Sequence, residues 1–218
     1  MRVKSFTVNP FAENTFLLIE DEKALLVDPG FYKRAEFDAC TKIMHDLNAD
    51  LIGILLTHAH VDHILGVSAV KNEFDIPVYL NHEDLYLWKN FASQAVMFGF
   101  QTRDFDFEPE PLNPQKNWNI GPFAFDVLFT PGHAPEHISL YSEKDQVVIA
   151  GDSLFKGGIG RTDLYKGDRD LLVQSIREKL YTLPDKTQVL PGHGQATTIG
   201  YEKKHNEFVK AAGQESGS

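Results

Sequence analysis

Short apolar runs recur along the chain, each closed by turn residues. Thr15–Ile19 and Ala24–Val27 read as two strands, with Asp28-Pro29-Gly30 turning out of the second. From Arg34 to Leu47, Phe37, Ile43, Met44 and Leu47 fall at helical spacing, which predicts a helix. Leu51–Leu56 is almost unbroken in apolar residues and has strand length. Ile64–Phe74 then reads as a helix and Pro77–Leu80 as a strand. The second half has the same rhythm. Strands are predicted at Phe123–Phe129, His137–Tyr141 and Gln146–Ala150, and a helix over Asp168–Leu180 with Asp168 as its cap. A short strand over Thr187–Leu190 and a closing helix over Tyr201–Ala211 complete the pattern. This alternation, with hairpins near the start of each half, predicts an α/β protein with mixed sheets. No low-complexity linker divides the chain. One domain over residues 1–218 is expected, built of two similar halves (about 1–115 and 116–211) with a small, polar, frayed tail at 212–218.

Residues 82–116 depart from that rhythm. Leu85, Leu87, Trp88, Phe91, Met97, Phe98 and Phe100 lie in a helix-like stretch, and Phe105 and Phe107 follow in an acidic, proline-rich segment. One reading is an amphipathic helix packed on the core. The other is an apolar wall beside a functional site or at a subunit interface, and different faces can serve both.

Composition narrows the function classes. The 218 residues carry a formal net charge of −10 and no stripe of Lys and Arg, which argues against a nucleic-acid partner. No apolar stretch reaches membrane-spanning length, and Met1–Phe6 lacks the apolar core of a signal peptide, so a soluble cytoplasmic protein is expected. Cys40 is the single cysteine, which excludes an intrachain disulfide. It falls in the helix predicted after Arg34, as a small buried side chain.

The chemistry concentrates at Thr57-His58-Ala59-His60-Val61-Asp62-His63, directly after the run Leu51–Leu56. Nitrogen and oxygen donors at this density suit zinc, iron(II) or manganese. In extended chain His58 and His60 point the same way and can reach one ion. Asp62 and His63 lie past the strand, where the chain turns toward the helix expected from Ile64, and aim at a neighbouring point. Two adjacent metal positions follow. No cysteine ligand is present, and the spacing leaves coordination positions open, which is the catalytic pattern. Three other apolar runs end in the same way: Thr130-Pro131-Gly132-His133, Gly151-Asp152-Ser153 and Pro191-Gly192-His193-Gly194. Donors delivered from the ends of several strands are how sheet proteins build active sites.

His58-Ala59-His60-Val61-Asp62-His63, followed in order by His133, Asp152 and His193, resembles the metal-binding motifs of the metallo-β-lactamase superfamily. Asp28 in Val27-Asp28-Pro29-Gly30 matches that family's first motif, so the resemblance spans nearly the whole chain. It implies a four-layer αββα sandwich with two mixed β-sheets. It also implies that His58, His60 and His133 hold one metal ion, that Asp62, His63 and His193 hold the second, and that Asp152 bridges them.

Asp152 is unlike the bridging position of the true β-lactamases, and His60 is unlike the Glu of the flavin-linked diiron branch. Residues 151–163 resemble the hydroxyacylglutathione hydrolase (glyoxalase II) branch and, equally, the persulfide dioxygenases. The ending from Leu190 to Asn206 resembles small bacterial glyoxalase II-type proteins. With 25 residues after His193, the C-terminal helical domain that supplies basic contacts to glutathione in larger members is not expected.

The resemblance implies a metal-dependent thioesterase with two divalent ions, zinc foremost and iron or manganese as alternatives. Its substrate would be a small-molecule thioester, including glutathione-linked ones, with no nucleic acid or membrane partner. A metal-bound hydroxide would attack the thioester carbonyl, with Asp62 orienting it and accepting its proton. Arg161 matches the family's contact to the glycine carboxylate of glutathione, although a salt bridge to Asp163 is an equal reading. His137, four residues after His133, is a candidate to support a ligand from behind, and a hydrogen bond at a strand end is an equal reading. The competing functions are a mononuclear iron persulfide dioxygenase, a lactonase and a non-catalytic metal-binding module.

Overall fold

The apolar runs become strands in a computed structural model that describes residues 1–210. The tail expected at 212–218, and the end of the helix expected over Tyr201–Ala211, lie outside the described residues. Close contacts divide the chain into two compact units. One comprises Met1–Asn113 with Asn119–Ala124, and the other comprises Pro114–Trp118 with the chain from Phe125 on.

The first sheet has six strands in sequence order: β1 (Arg2–Val8), β2 (Glu13–Glu20), β3 (Lys23–Val27), β4 (Asp50–Leu55), β5 (Val78–Leu80) and β6 (Glu110–Pro111). β1 to β3 pair antiparallel, whereas β3 to β6 pair parallel. The helices of this half are α1 (Arg34–Asp46), α2 (Val61–Ile64), α3 (Val67–Phe74), α4 (Tyr86–Lys89) and α5 (Phe91–Met97). Leu17, Leu18, Leu25, Leu26, Ile54 and Leu55 on the central strands are wholly buried. Each contributes roughly 1.5–3 kcal/mol of apolar burial.

The second half contains β7 (Gln115–Ile120), β8 (Phe123–Phe129), β9 (Ile138–Ser142), β10 (Val147–Gly151), β11 (Leu154–Phe155), β12 (Gly158–Ile159), β13 (Gln188–Pro191) and β14 (Thr197–Thr198). Its six-stranded sheet runs β14-β13-β10-β9-β8-β7, and β11 and β12 form a separate two-stranded ribbon. β10 and β13 are its parallel pair. Helix α6 (Arg169–Ser175) continues into a π-helical turn, Ile176–Leu180, and α7 (Ile199–His205) follows β14. Val148, Leu172, Ile176, Leu180, Val189 and Ile199 form the core here. The architecture is α/β with two mixed sheets and accompanying helices, as the sequence predicts.

Several boundaries differ for physical reasons. β1 and β7 were not visible in the hydrophobic pattern because both are edge strands and β7 is mostly exposed. The helix expected over Ile64–Phe74 is broken at Gly66, whose N–H donates to the Pro29 carbonyl at 2.8 Å. A Cβ there would meet the Pro29 oxygen at 2.7 Å, so only glycine permits the approach. Its first piece, α2, begins at Val61, so Asp62 and His63 sit on a helical turn rather than before one. Asp168 does cap α6, accepting from Leu171 N at 3.0 Å. Helix α7 stops at His205 because Asn206 leaves helical geometry and its Oδ1 accepts from the Phe208 and Val209 amides.

Residues 82–107 pack on the core through one face and leave another in solvent. Trp88 and Phe91 are buried and stack on Phe105, with ring centroids 3.9 and 4.6 Å away, while Val96 and Met97 face solvent. Cys40 is buried, and burial pushes its thiol up to about 12, so it stays protonated near neutral pH. Among the described residues no helix is long and apolar enough to cross a membrane.

Candidate metal centre

In the first sheet the parallel neighbours β3 and β4 end side by side, with Val27 opposite Leu55 and Asp28 N donating to Leu55 O at 3.0 Å. That register sets Asp28 against the start of the His-rich loop. Asp28 is buried, with a left-handed φ of 49°. Its Oδ1 accepts from Thr57 N at 2.7 Å, and its Oδ2 accepts from Thr57 Oγ1 at 2.6 Å. The same Oδ2 lies 3.0 Å from His63 Nδ1. Thr57 Oγ1, having given its proton to Asp28, receives one from His58 Nδ1 at 3.0 Å.

One carboxylate therefore holds two imidazoles by their Nδ1 sides, directly at His63 and through Thr57 at His58. The Nε2 nitrogens are left as the coordinating atoms. Those of His58, His60 and His63 are buried. Asp28, His58 and His63 offer donor atoms within 4.8 Å of one another. With both oxygens of Asp28 committed, its carboxylate is placed to orient the histidines, which remain the candidate ligands. In the sequence Asp28 stands in a turn and matches a family motif, and these contacts favour orientation of the histidines.

Asp62, the second residue of α2, places Oδ2 at 3.8 Å from His63 Nε2. Its carbonyl accepts from Asn9 Nδ2 at 2.9 Å, and the same amide donates to Gly30 O at 2.9 Å. Glu13, on β2, was missed in the sequence because it opens an apolar strand with no motif around it. It is fully buried, accepts from Thr15 Oγ1 at 2.9 Å, and has an oxygen 3.9 Å from His63 Nδ1. Burial raises its carboxyl well above the usual carboxylate range, against the opposing pull of His63. The loop before α2 is also tied to α5, where Gln94 Nε2 donates to Ala59 O at 3.0 Å.

The second sheet repeats the device. Parallel β10 and β13 end together, with Gly192 N donating to Gly151 O at 2.8 Å, so Asp152 and His193 emerge as neighbours. Asp152 Oδ2 lies 3.5 Å from His133 Nε2 and 3.5 Å from His193 Nε2. Two ligands each bound to zinc at 2.0–2.2 Å in tetrahedral geometry stand roughly 3.4 Å apart. The Asp152 spacings therefore fit a shared metal ligand, and the nitrogen–oxygen donor set fits a divalent ion.

His137 is buried and holds Asp152 from behind. Its Nε2 accepts from Asp152 N at 3.1 Å, which puts its proton on Nδ1, facing Thr130 Oγ1 at 2.9 Å. His133 Nδ1 donates to Arg161 O at 2.7 Å, leaving its Nε2 for metal. A Cβ on Gly160 would collide with the Asp152 carbonyl and approach His133 Nδ1 to 3.0 Å, so this close approach requires glycine. The Arg161 side chain is exposed and pairs bidentately with Asp163, both contacts at 2.7 Å. That pairing holds the Asp163 carboxyl down to about 2. These His/Asp groups, read within each unit, support a dinuclear metal site.

The comparisons agree with this chemistry. A family model described as the metallo-beta-lactamase superfamily matches residues 8–193. A probable metallo-hydrolase, YqgX of Bacillus subtilis, is 39% identical, covering 96% of this chain and 98% of the relative. Hydroxyacylglutathione hydrolase GloC of Haemophilus influenzae is 36% identical, covering 97% and 99%. Among solved structures, BLEG-1 B3 metallo-beta-lactamase superposes with a TM-score of 0.85 at 37% identity, covering 95% of this chain and 99% of that one. TTHA1623 in a di-iron-bound form gives 0.84 at 35%, covering 95% and 100%. Strand ends that present His and Asp donors, and a match over most of the sequence, make this chain a metal-dependent hydrolase that belongs to the metallo-β-lactamase superfamily.

Proposed function

We propose that the protein is a thioesterase of the hydroxyacylglutathione hydrolase type. End-to-end similarity to GloC carries this reading. The proposed ligands are His58, His60 and His133 for one ion, and Asp62, His63 and His193 for the other, with Asp152 shared. Zinc, iron or manganese suits these donors. When bound, two such ions supply Lewis acidity to a carbonyl and a water that ionises near pH 7.

The chain's own groups do the remaining work. Asp28 and Thr57 fix the tautomers of His63 and His58, Arg161 O does the same for His133, and His137 holds the backbone of Asp152. Asp62, held by Asn9 at its backbone, is the proposed proton acceptor. A thiolate leaving group, of thiol pKa about 8.5, departs without a dedicated acid. That suits a site whose His and Asp side chains are used as ligands or orienting groups.

Similarity to a B3 metallo-β-lactamase makes a β-lactam the competing substrate, and the shared motif at 151–163 makes a persulfide the other. Metal-replete protein with measured metal content is to be assayed on S-lactoylglutathione, simpler thioesters, a lactone, a β-lactam, and glutathione persulfide with oxygen uptake. Thioester hydrolysis is expected to dominate. No thioester turnover by fully loaded protein would sink the proposal, and oxygen uptake with one iron per chain would replace it.

Arg161 is proposed to receive a substrate carboxylate, with Asp163 as its internal competitor. Because Asp163 is ionised from about 2 upward, the competition operates at every working pH. Asp163→Ala is then expected to lower KM several-fold for a thioester with a carboxylated thiol, with kcat unchanged. Arg161→Ala is expected to raise that KM by roughly tenfold, as for loss of a charge-assisted hydrogen bond. Equal KM values in all three proteins would remove Arg161 from the substrate site.

A further inference from the structure

We infer that Glu202 and Asn206, on and just after α7, are positioning residues for the metal ligands His133, Asp152 and His193. They act through the β11–β12 ribbon. The inference rests on the ligand assignment proposed above.

Glu202 is a fully buried carboxylate on a helix whose neighbouring residues Tyr201 and Lys203 are more exposed. Three donors converge on it. Thr197 Oγ1 donates to Oε1 at 2.6 Å, and Gly157 N and Asn206 Nδ2 both donate to Oε2 at 2.9 Å. Asn206 Nδ2 also donates to Gly158 O at 3.1 Å. Both peptide groups at the tip of the ribbon are thus fastened to α7. Burying a carboxylate in a core is costly unless its acceptors are filled, and here the Gly157 amide at that tip fills one place while the Thr197 and Asn206 side chains fill the others.

The ribbon reaches the ligands of this unit at three points. It starts from Asp152, and Ser153 O accepts from Gly160 N at 3.4 Å. The Phe155 ring stands edge-on to His193, with centroids 6.1 Å apart and planes at 87°. At its far end, Arg161 O takes the His133 Nδ1 proton. Leu154 pairs with Ile159 and Phe155 with Gly158, so a displacement at Gly157 is passed to both strands. Releasing the tip therefore frees the backing of His133 and the wall beside His193, while the ligands themselves remain.

The test is cobalt(II) binding, followed by visible absorption, with Glu202→Gln, Thr197→Val and Asp152→Ala beside the unaltered protein. Glutamine keeps the size of Glu202 but turns an amide N–H toward one of the donors. Thr197→Val removes one bond and keeps shape, so it serves if Glu202→Gln does not fold. Circular dichroism and thermal unfolding of the metal-free proteins report folding separately.

Glu202→Gln is expected to weaken cobalt binding by about tenfold and to alter the band shape, in the range of changes behind metal ligands. Thr197→Val should shift both in the same direction and by less. Cobalt affinity and spectra equal to the unaltered protein in both folded variants, while Asp152→Ala changes them, would overturn the inference. If Asp152→Ala also leaves cobalt binding unchanged, the ligand assignment fails, and the inference with it.

Discussion

Stripping the metal ions is expected to lower thioester hydrolysis by at least about a thousandfold, the scale on which preorganised electrostatic stabilisation acts. The chain offers little to replace them. His58 and His63 are turned by Asp28 and Thr57 so that Nε2 faces inward, and His133 is turned the same way by Arg161 O. His137 is committed to Asp152 N and Thr130. None of these is placed as a free acid–base pair.

Metal loss should also destabilise the fold. Each ion present at a thousand times its dissociation constant adds about 4 kcal/mol, which in a chain of this size corresponds to roughly 8–16 °C in Tm per site. Chelation followed by dialysis, with metal content measured, should show both losses, and added zinc or iron should reverse them. Unchanged turnover in protein verified to be metal-free would contradict a metal-dependent mechanism altogether.

The proposed ligands were legible in the sequence because metal binding demands particular atoms, and strand ends deliver them after recognisable apolar runs. His58 to His63 follow β4, His133 follows β8, Asp152 follows β10, and His193 follows β13. The groups that orient them were mostly not legible. Thr57 stands next to His58 in the sequence, but its role depends on Asp28, brought opposite by the β3–β4 register. Glu13, Asn9, Glu202 and Asn206 act over long sequence separations, and nothing local marks them. Asn9 reaches Asp62, and Asn206 reaches Gly158. Edge strands β1 and β7 were lost for a different reason. A strand with one side open to water carries polar residues where a core strand carries a signal.

Asp28→Asn is expected to separate metal binding from folding. An asparagine keeps the volume, and its oxygen can still accept from Thr57 N. Its amide N–H2 then faces Thr57 Oγ1 and His63 Nδ1, where Asp28 Oδ2 now takes protons at 2.6 and 3.0 Å. His63 must turn Nδ1 into an acceptor, which moves its proton to Nε2 and blocks coordination there. Thr57 loses the acceptor for its own proton, and the His58 tautomer is no longer enforced. Metal affinity should fall by about 10–100-fold, the usual cost of removing a group behind a ligand.

Asp28→Ala differs in kind. It leaves the Thr57 amide buried without the Asp28 acceptor, at about 1–3 kcal/mol, and leaves the hydroxyl only His58 Nδ1 to donate to, and so lowers Tm even in metal-free protein. Calorimetric metal titration beside thermal unfolding of the metal-free forms reads the two effects separately. Weak binding with a preserved metal-free Tm in Asp28→Asn, and loss of both in Asp28→Ala, is the expected pattern. Full metal affinity in Asp28→Asn would reduce Asp28 to a turn residue and leave the tautomers of His58 and His63 to be set by the ions themselves.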